Sequence, residues 1–565
     1  MGIYMMFFMP TPPEVNQPAA TKTAQGGSNP IASSIEPAVV ATKSSSHSEK
    51  AVKHVASNVS AQAVTIETDE YLATFSNQGA VLTGFELKKF LNRHSQKPIQ
   101  LINQDASRPR PFSVTYAPIP DLAQRVFEVE GSSKKLSKSE PVAKLVFRAV
   151  DNNGLVLEKT FTFKNGTYLF DFNVNVSQTG KTTVPASVIT VEWADTLGKE
   201  EITGTNTRGA QSYRVVTLGG GHKDEESSQK SQESKEIPSP INWTALANQY
   251  FLAALIPDPT SNGVTVKVVR DFNVYKTPTE EEPNPGLDEK QFGPRPLLIF
   301  AVPSLNKGES FKRNGQAFVG PQDYEVLKGL DQGLEGVIDF GMFGYIAVYM
   351  LKLHKWFYTL VHNWGLAILF LSIAVKLALW YPTHNSYKHM AQLSQKTREI
   401  QPKLDAIKRK YADNKQKQQE ETMKIYNEAG INPLGGCLPM LLQIPVFYAL
   451  YATLSHSIEL RGAHFLWLTD LTLKDDRLYV PVLSLLMGAT MLIQQKVSGQ
   501  MATQAAGQQK FMMWFLPIFL TFISKDWPAG LLLYWVVTNL LSMVQQKIVN
   551  REIQKTKKKD EVVKT

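Results

Sequence analysis

The sequence predicts a multi-domain membrane protein: an all-β sandwich, then an α-helical core of five membrane spans interrupted by a helical hairpin. Three observations predict it. The first is a change of solvent near residue 330. The mean hydropathy of −0.19 averages a polar stretch at 62–320 with an apolar one at 364–546 that holds nearly every long hydrophobic run. The second is strand-like alternation within the polar stretch. The third is the placement of the net charge of +9, whose Lys and Arg crowd the ends of the apolar runs, as the positive-inside rule describes. A membrane topology explains that charge better than nucleic acid does.

Residues 10–61 are rich in Pro, Ser, Ala and Thr and poor in large apolar groups, too few to offset chain entropy by burial, so they read as a disordered linker. The β domain is expected over 62–330. In Tyr168–Ser177, Tyr168, Phe170, Phe172, Val174 and Val176 alternate with Leu169, Asp171, Asn173, Asn175 and Ser177, the period of a half-buried strand. Similar runs at Val64–Thr68, Leu145–Val150, Leu155–Phe163, Val264–Val269 and Leu297–Val302 are separated by turn-forming segments such as Asn152-Asn153-Gly154 and Lys164-Asn165-Gly166. Many strands without intervening helices make a sandwich. Gly219–Pro240, rich in Ser, Glu, Lys and Gly, is expected to be a mobile surface loop. Its Gly219-Gly220-Gly221-His222 lacks the Lys-Ser or Lys-Thr of a phosphate loop and reads as a hairpin tip. Trp193 and Trp243 read as core residues, with an exposed sugar-stacking platform as the sharper alternative.

Residues 336–361 are expected to form an interfacial amphipathic helix, with Phe343, Ile346, Met350, Phe357 and Leu360 on one face and Lys352, His354 and Lys355 interrupting the run. The core follows at 362–549, with spans at 364–382, 434–455, 478–495, 511–525 and 528–546. At about 1.5 Å of rise per residue a span needs roughly 20 residues, so 511–525 implies local thinning or a closely supported hairpin. Lys525-Asp526-Trp527-Pro528 breaks it from the last span, and Pro528 suits a helical first turn. Lys388 through Lys424 crowd the loop after the first span, and Lys547, Arg551, Lys555, Lys557, Lys558 and Lys559 crowd the end, including the basic tail 550–565. Both are therefore cytoplasmic, four spans lie between them, and the β domain falls in the periplasm. Were 336–361 a span instead, that domain would be cytoplasmic. The loop at 384–432 sets Leu393, Ile400, Leu404, Ile407 and Tyr411 near heptad spacing, breaks at Asp413-Asn414 and resumes at Met423, Tyr426 and Ala429, a helical hairpin. Its basic face reads as a surface near anionic lipid, with ribosome or partner docking as the sharper reading.

Lys376 lies inside the first span, about six residues before Pro382. An ammonium there needs water or a partner, which makes it a functional candidate. Against that, six residues is about 9 Å of helix, part of which a lysine can cover by snorkelling. Gln443 and Asn539 are further polar groups at membrane depth, with interhelical hydrogen bonding as their plain reading. Proline at 439, 445, 481 and 517 frees backbone carbonyls that neighbours or a wet cavity must satisfy. Together with Lys376 this favours a hydrated groove. The single cysteine, Cys437, excludes an internal disulfide and a thiolate metal cluster. No nucleotide loop, metal-spaced His set or nucleophile elbow occurs, so neither enzymatic chemistry nor a cofactor is expected. His456 and His464 read as solvated on the outer side, and His384 and His389 lie near the inner interface.

Asn432-Pro433-Leu434-Gly435-Gly436-Cys437-Leu438-Pro439 followed by Gln443-Ile444-Pro445-Val446-Phe447 closely resembles the signature of the YidC insertases. The resemblance extends through Asn363-Trp364-Gly365, Tyr381-Pro382, Gln401-Pro402-Lys403, Glu459-Leu460-Arg461 and Pro528-Ala529-Gly530-Leu531-Leu532-Leu533-Tyr534-Trp535. The polar half looks like the large periplasmic domain of Gram-negative members, a β-supersandwich, with Gly320-Pro321 and Trp243 through Phe251 as weaker matches. The resemblance implies a non-enzymatic inner-membrane insertase and chaperone, working without ATP on nascent membrane proteins, alone or with the Sec translocon. It implies a hydrophilic groove open to the cytoplasm and lipid. Lys376 aligns with a groove arginine of the family, so the charge is kept and the bidentate fork lost. By the same alignment Ser372 and Gln443 line the groove, and Tyr534 and Trp535 belong to the face that meets the substrate helix. Implied partners are the ribosome, at the hairpin and basic tail, and anionic lipids, but no specific nucleic-acid sequence. The family carries an N-terminal membrane anchor where this chain has only Ile3–Met9 before Pro10. Residues 1–9 are therefore expected to be the remnant of that anchor, with the true start upstream. The rival expectation is an envelope protein whose sandwich binds glycans while the helices anchor it.

Overall fold

The computed structural model describes residues 61–93, 95–102, 109–193, 197–198, 213–227, 233–260, 263–274, 291–431, 438–475, 480–497 and 507–564. The expected anchor remnant at 1–9, all of the linker but residue 61, and the motif residues 432–437 with Cys437 lie outside the described residues. Among those described, the polar half folds into three sheets. A nine-stranded sheet runs in the order His222–Ser227, Arg214–Gly219, Ile241–Ala247, Phe251–Pro257, Ser310–Pro321, Leu169–Gln178, Leu155–Lys164, Val142–Val150 and Glu128–Glu130. One five-stranded sheet orders Pro98–Gln100, Val81–Leu91, Tyr71–Ser76, Ala63–Glu67 and Lys134–Lys135. The other orders Ser234–Ile237, Val264–Val274, Gln291–Val302, Ser187–Glu192 and Ser113–Tyr116. Phe75 of the first small sheet meets Phe147, Phe161 and Phe163 of the long one, and Val264–Val274 and Gln291–Val302 of the second pack on Ile241–Ala247. The result is an extended sandwich.

The predicted strand forms as Leu169–Gln178, with Phe170, Phe172, Val174 and Val176 buried and the intervening residues half-exposed. Phe172 pairs with Gly315, where a Cβ would lie 2.7 Å from the Phe172 ring, so only glycine fits opposite it. Trp193 and Trp243 are core residues, 0% and 1% exposed, which removes the stacking platform the glycan reading needs. Lys159 is also buried, and its Nζ donates to the carbonyls of Gly79, Ala80 and Phe112 at 2.8, 3.1 and 2.9 Å.

The loop expected at Gly219–Pro240 is corrected. His222–Ser227 pairs with Arg214–Gly219, and Ser234–Ile237 pairs with Val264–Val274. Gly220 and Gly221, at φ of 58° and 79°, make the two-residue turn of the first hairpin. Both strands sit at sheet edges, with Lys235 paired to Asp224 and Glu226. A charged edge strand has the composition of a solvated loop, and only its pairing distinguishes the two.

The helical half begins with α1, Tyr324–Lys328, capped by the Asp323 side chain, and a 3₁₀ turn at Leu334–Val337. α2, Gly344–Val361, follows within the expected amphipathic segment. Its packed stripe is Ala347, Met350, Leu351 and His354, while Ile346 and Leu360 are exposed beside Tyr345, Tyr349 and Trp356. The face expected from the apolar residues is therefore split, because the small Ala347 lets the helix approach its neighbours more closely than the larger Ile346 does. His362 ends α2 in the left-handed conformation, and the Asn363 side chain accepts from Leu366 N at 3.0 Å to start α3, Trp364–Ala378. α4, Trp380–Lys410, meets α3 at 67°. Pro382 explains the break: it has no N–H for the Ala378 carbonyl, and its ring clashes with a straight continuation. α5, Lys415–Glu428, folds back on α4 with Asn414 as its cap, where the hairpin break is predicted. α6, Leu438–His456, α7, Val482–Val497, α8, Gly507–Ser524, and α9, Ala529–Lys564, complete the bundle.

Among the described residues no single helix is both long and apolar enough to cross a membrane, whereas the bent pair α3 and α4 meets that test together. The sandwich is pinned to one end of the bundle by polar contacts. Arg93 Nε lies 3.0 Å from Asp470 Oδ2 and its guanidinium donates to Thr472 Oγ1 at 2.8 Å. Gln249 donates to the Ser455 carbonyl at 2.9 Å, and Lys355 joins Asp323 and Glu459 at 2.9 and 2.5 Å. His456 is packed here rather than solvated, with Nδ1 2.9 Å from the Ala452 carbonyl and its ring edge-on to Phe340. Phe340 comes from the segment between the 3₁₀ turn and α2, which the chain order alone does not place beside His456.

Candidate functional site

The site is organised along one side of α9. Tyr534, Thr538, Ser542 and Gln545 recur at intervals of four, four and three residues, one face of a helix, and all four are buried. That face meets α6 and α3, while Asn539, about 100° further round the helix, meets α7. At its start, Gln443 of α6 donates to the Tyr534 hydroxyl at 3.0 Å. Further along, Asn539 donates to Thr490 Oγ1 of α7 at 3.0 Å. Near the α3–α4 joint, Lys376 Nζ donates to Ser542 Oγ at 2.8 Å.

The joint itself explains the last cluster. Pro382 has no N–H, so the Ala378 carbonyl lacks its usual helical donor, and side chains add further bonds around the joint. Gln545 Nε2 donates to the Trp380 carbonyl at 3.0 Å, and Thr383 Oγ1 bonds the Leu379 carbonyl at 2.6 Å. Lys376, two residues before the end of α3, points into this joint and is 7% exposed. Its Nζ lies 5.4 Å from the Tyr387 ring centroid of α4. Among the described residues no Asp or Glu pairs with it. A buried cation surrounded by neutral dipoles and an aromatic face keeps donors for an acidic or carbonyl guest.

The six residues singled out by sequence fall differently. Lys376, Gln443 and Tyr534 join the polar contacts of that α9 side, and Asn539 bonds Thr490 of α7 from another side of the helix. Ser372 is buried, but its hydroxyl bonds the Ile368 carbonyl of its own helix at 2.7 Å. Trp535 faces a different direction, into an aromatic group with Phe447 at 4.8 Å and Trp527 at 5.7 Å between ring centroids. Ser542, Gln545, Thr383, Tyr387 and Thr490 belong to the site and were not singled out. The four-four-three spacing of polar residues within the apolar run of α9 is the signal that finds Ser542 and Gln545. Nothing in the sequence marks Tyr387 or Thr490, which reach the site from other helices.

Among the described residues the bundle exposes several large apolar side chains. On α3, Leu366, Phe370, Ile373 and Leu377 are 38%, 41%, 39% and 63% exposed and form one stripe. Ile518 and Phe522 of α8 and Leu540 and Val544 of α9 are exposed likewise.

Residues 63–353 match the YidC periplasmic domain family, and 356–558 match the family described as 60Kd inner membrane protein. The membrane protein insertase YidC of Geobacter metallireducens is 31% identical over 553 residues, covering 97% of this chain and 96% of that one. That of Geotalea daltonii is 30% identical over 559 residues, covering 98% and 97%. Among solved structures, an active YidC insertase with its first transmembrane domain resolved is 17% identical, covers 86% of this chain and 92% of that one, and has a TM-score of 0.35.

Proposed function

We propose, from the premise that this chain belongs to the YidC family of membrane protein insertases, that the polar side of α9 is the groove through which it inserts inner-membrane proteins. The observation that carries this is Lys376: a buried ammonium held by Ser542 and the Tyr387 ring with no acidic partner among the described residues. Burying such a charge is costly unless it meets a guest or water. Gln546 Nε2, buried without a partner, favours a hydrated interior as well.

In this reading the groove lowers the cost of bringing a substrate's polar flank part-way into the membrane, and burial of the substrate's apolar helix in lipid drives the rest. No nucleotide hydrolysis enters. Gln443, Asn539 and Ser372 border the path, and Tyr534 and Trp535 meet the incoming helix, with Phe447 and Trp527 extending the aromatic surface. The exposed apolar stripes of α3, α8 and α9 support membrane embedding, because a contiguous apolar surface of this kind calls for lipid. The five spans are assigned to α3, α6, α7, α8 and α9, with α2 in the outer interface, the sandwich in the periplasm, and the α4–α5 hairpin and basic end in the cytoplasm. There the hairpin and the basic end meet anionic lipid and the ribosome, and the Sec translocon is a further partner.

Two experiments test this. Insertion of a substrate with an acidic translocated flank is expected to fall sharply in Lys376→Glu and to persist in Lys376→Arg, and equal behaviour of the two variants removes the groove charge from the mechanism. Protease added outside spheroplasts is expected to digest the sandwich. Its protection there would place α2 across the membrane and invert the topology.

A further inference from the structure

A lysine ammonium is a compact charge on a flexible four-carbon stem, unlike the rigid guanidinium fork. Its position must therefore be set by whatever touches it. Two side chains from two other helices do so here. Ser542 of α9 accepts from Lys376 Nζ at 2.8 Å, and the Tyr387 ring of α4 lies 5.4 Å from that nitrogen. The Tyr387 hydroxyl also hydrogen-bonds Ser542. Ser542 and Tyr387 are 4% and 6% exposed, and both stand on elements joined at the α3–α4 joint, where Gln545 donates to the Trp380 carbonyl and Thr383 to that of Leu379. The Tyr387 ring also packs with Met390 and Val549, so it has little room to move.

We propose that Ser542 and Tyr387 are positioning residues that seat the Lys376 ammonium, and that this seat determines selectivity for substrates carrying Asp or Glu in the translocated flank. An ammonium has three N–H donors. Ser542 takes one, the ring stabilises the charge without using a donor, and the rest serve a substrate carboxylate. The serine hydroxyl is shared between the lysine and the tyrosine, so all three groups hold one geometry. Without Ser542 the stem is free to swing toward the inner interface, and the charge leaves the place where an acidic flank passes. This inference rests on the groove reading given above.

The test uses the full chain in proteoliposomes and two single-span substrates that differ only in having two Asp or two Asn residues in the translocated flank. The readout is the ratio of acidic to neutral insertion. Ser542→Ala is expected to lower that ratio on the order of tenfold, the size of one hydrogen bond to a charged group. Ser542→Thr, which keeps the hydroxyl, restores it, and Tyr387→Leu lowers it. In a Lys376→Met background Ser542→Ala has no further effect on the ratio. The inference is overturned if Ser542→Ala lowers both substrates equally, leaves the ratio unchanged, or acts as strongly without Lys376. Lys376→Glu separates the two levels. If it spares the ratio, the groove charge itself is lost; if it collapses the ratio while Ser542→Ala does not, only the seat is.

Discussion

Replacing Arg93 by Met is expected to loosen the attachment of the sandwich to the bundle. Arg93 stands in the turn after Val81–Leu91, with its side chain 12% exposed, against an Asp470 side chain that is 5% exposed. Removing one partner of a buried pair leaves an uncompensated charge and costs about 3–5 kcal/mol. Asp470 keeps two hydrogen bonds, from Thr472 N at 2.8 Å and Thr472 Oγ1 at 2.6 Å, so the lower end applies. The contact of the guanidinium with the Tyr250 ring at 5.5 Å is also lost, and Met fills part of that space. A net cost of about 3 kcal/mol corresponds to local opening on the order of 100-fold more frequent. Leu471 and Thr472 amides, bonded to the Ala463 carbonyl and Asp470 Oδ1, report that opening by hydrogen exchange. Arg93→Met with Asp470→Asn is expected to recover most of the protection, since no buried charge then remains. Unchanged exchange in the single variant, or a double variant as unprotected as the single, refutes the ion-pair account.

Burial draws Lys159 down from 10.5 to about 7, against the opposing pull of Glu192. Between those values the unfolded chain binds a proton that the folded one does not, so stability rises with pH by up to about 1.4 kcal/mol per unit and levels off on both sides. Unfolding midpoints of Lys159→Met and wild type at pH 6.5, 8 and 9.5 isolate this slope, and a wild type that weakens relative to the variant as pH rises reverses its sign. Gly488→Ala places a Cβ 2.0 Å from Thr521 Oγ1, forcing α7 and α8 apart at a cost of about 1–3 kcal/mol. Thr521→Ala in the same chain should return most of that in thermal unfolding, and no relief would show that the helices separate freely. Gln443→Leu removes the 3.0 Å donor to the buried Tyr534 hydroxyl, and because the Thr538 side chain still bonds that hydroxyl the cost is about 1 kcal/mol. A double-mutant cycle with Tyr534→Phe should show coupling, and strict additivity would dissolve the pair.

The sequence by itself determined the division near residue 330, the strand at Tyr168–Ser177, the core placement of Trp193 and Trp243, the hairpin break at Asn414 and the presence of a charge, Lys376, within an apolar run. Each is a local property: a period, a cap or turn residue, or a polar group whose transfer cost depends on its immediate neighbours in the chain. The edge strands His222–Ser227 and Ser234–Ile237 escaped because their charges satisfy solvent and one another, so their composition matches a loop. Only the tertiary structure decided that Arg93 meets Asp470, 377 positions later (470 − 93), and that the packed stripe of α2 is built on Ala347 and His354. It alone decided that Lys376 turns to Ser542 and Tyr387 rather than toward the membrane surface. Those contacts join residues distant in the chain, and their energies depend on which helix faces come together. That choice is made by packing the whole bundle at once, and no window of sequence contains it.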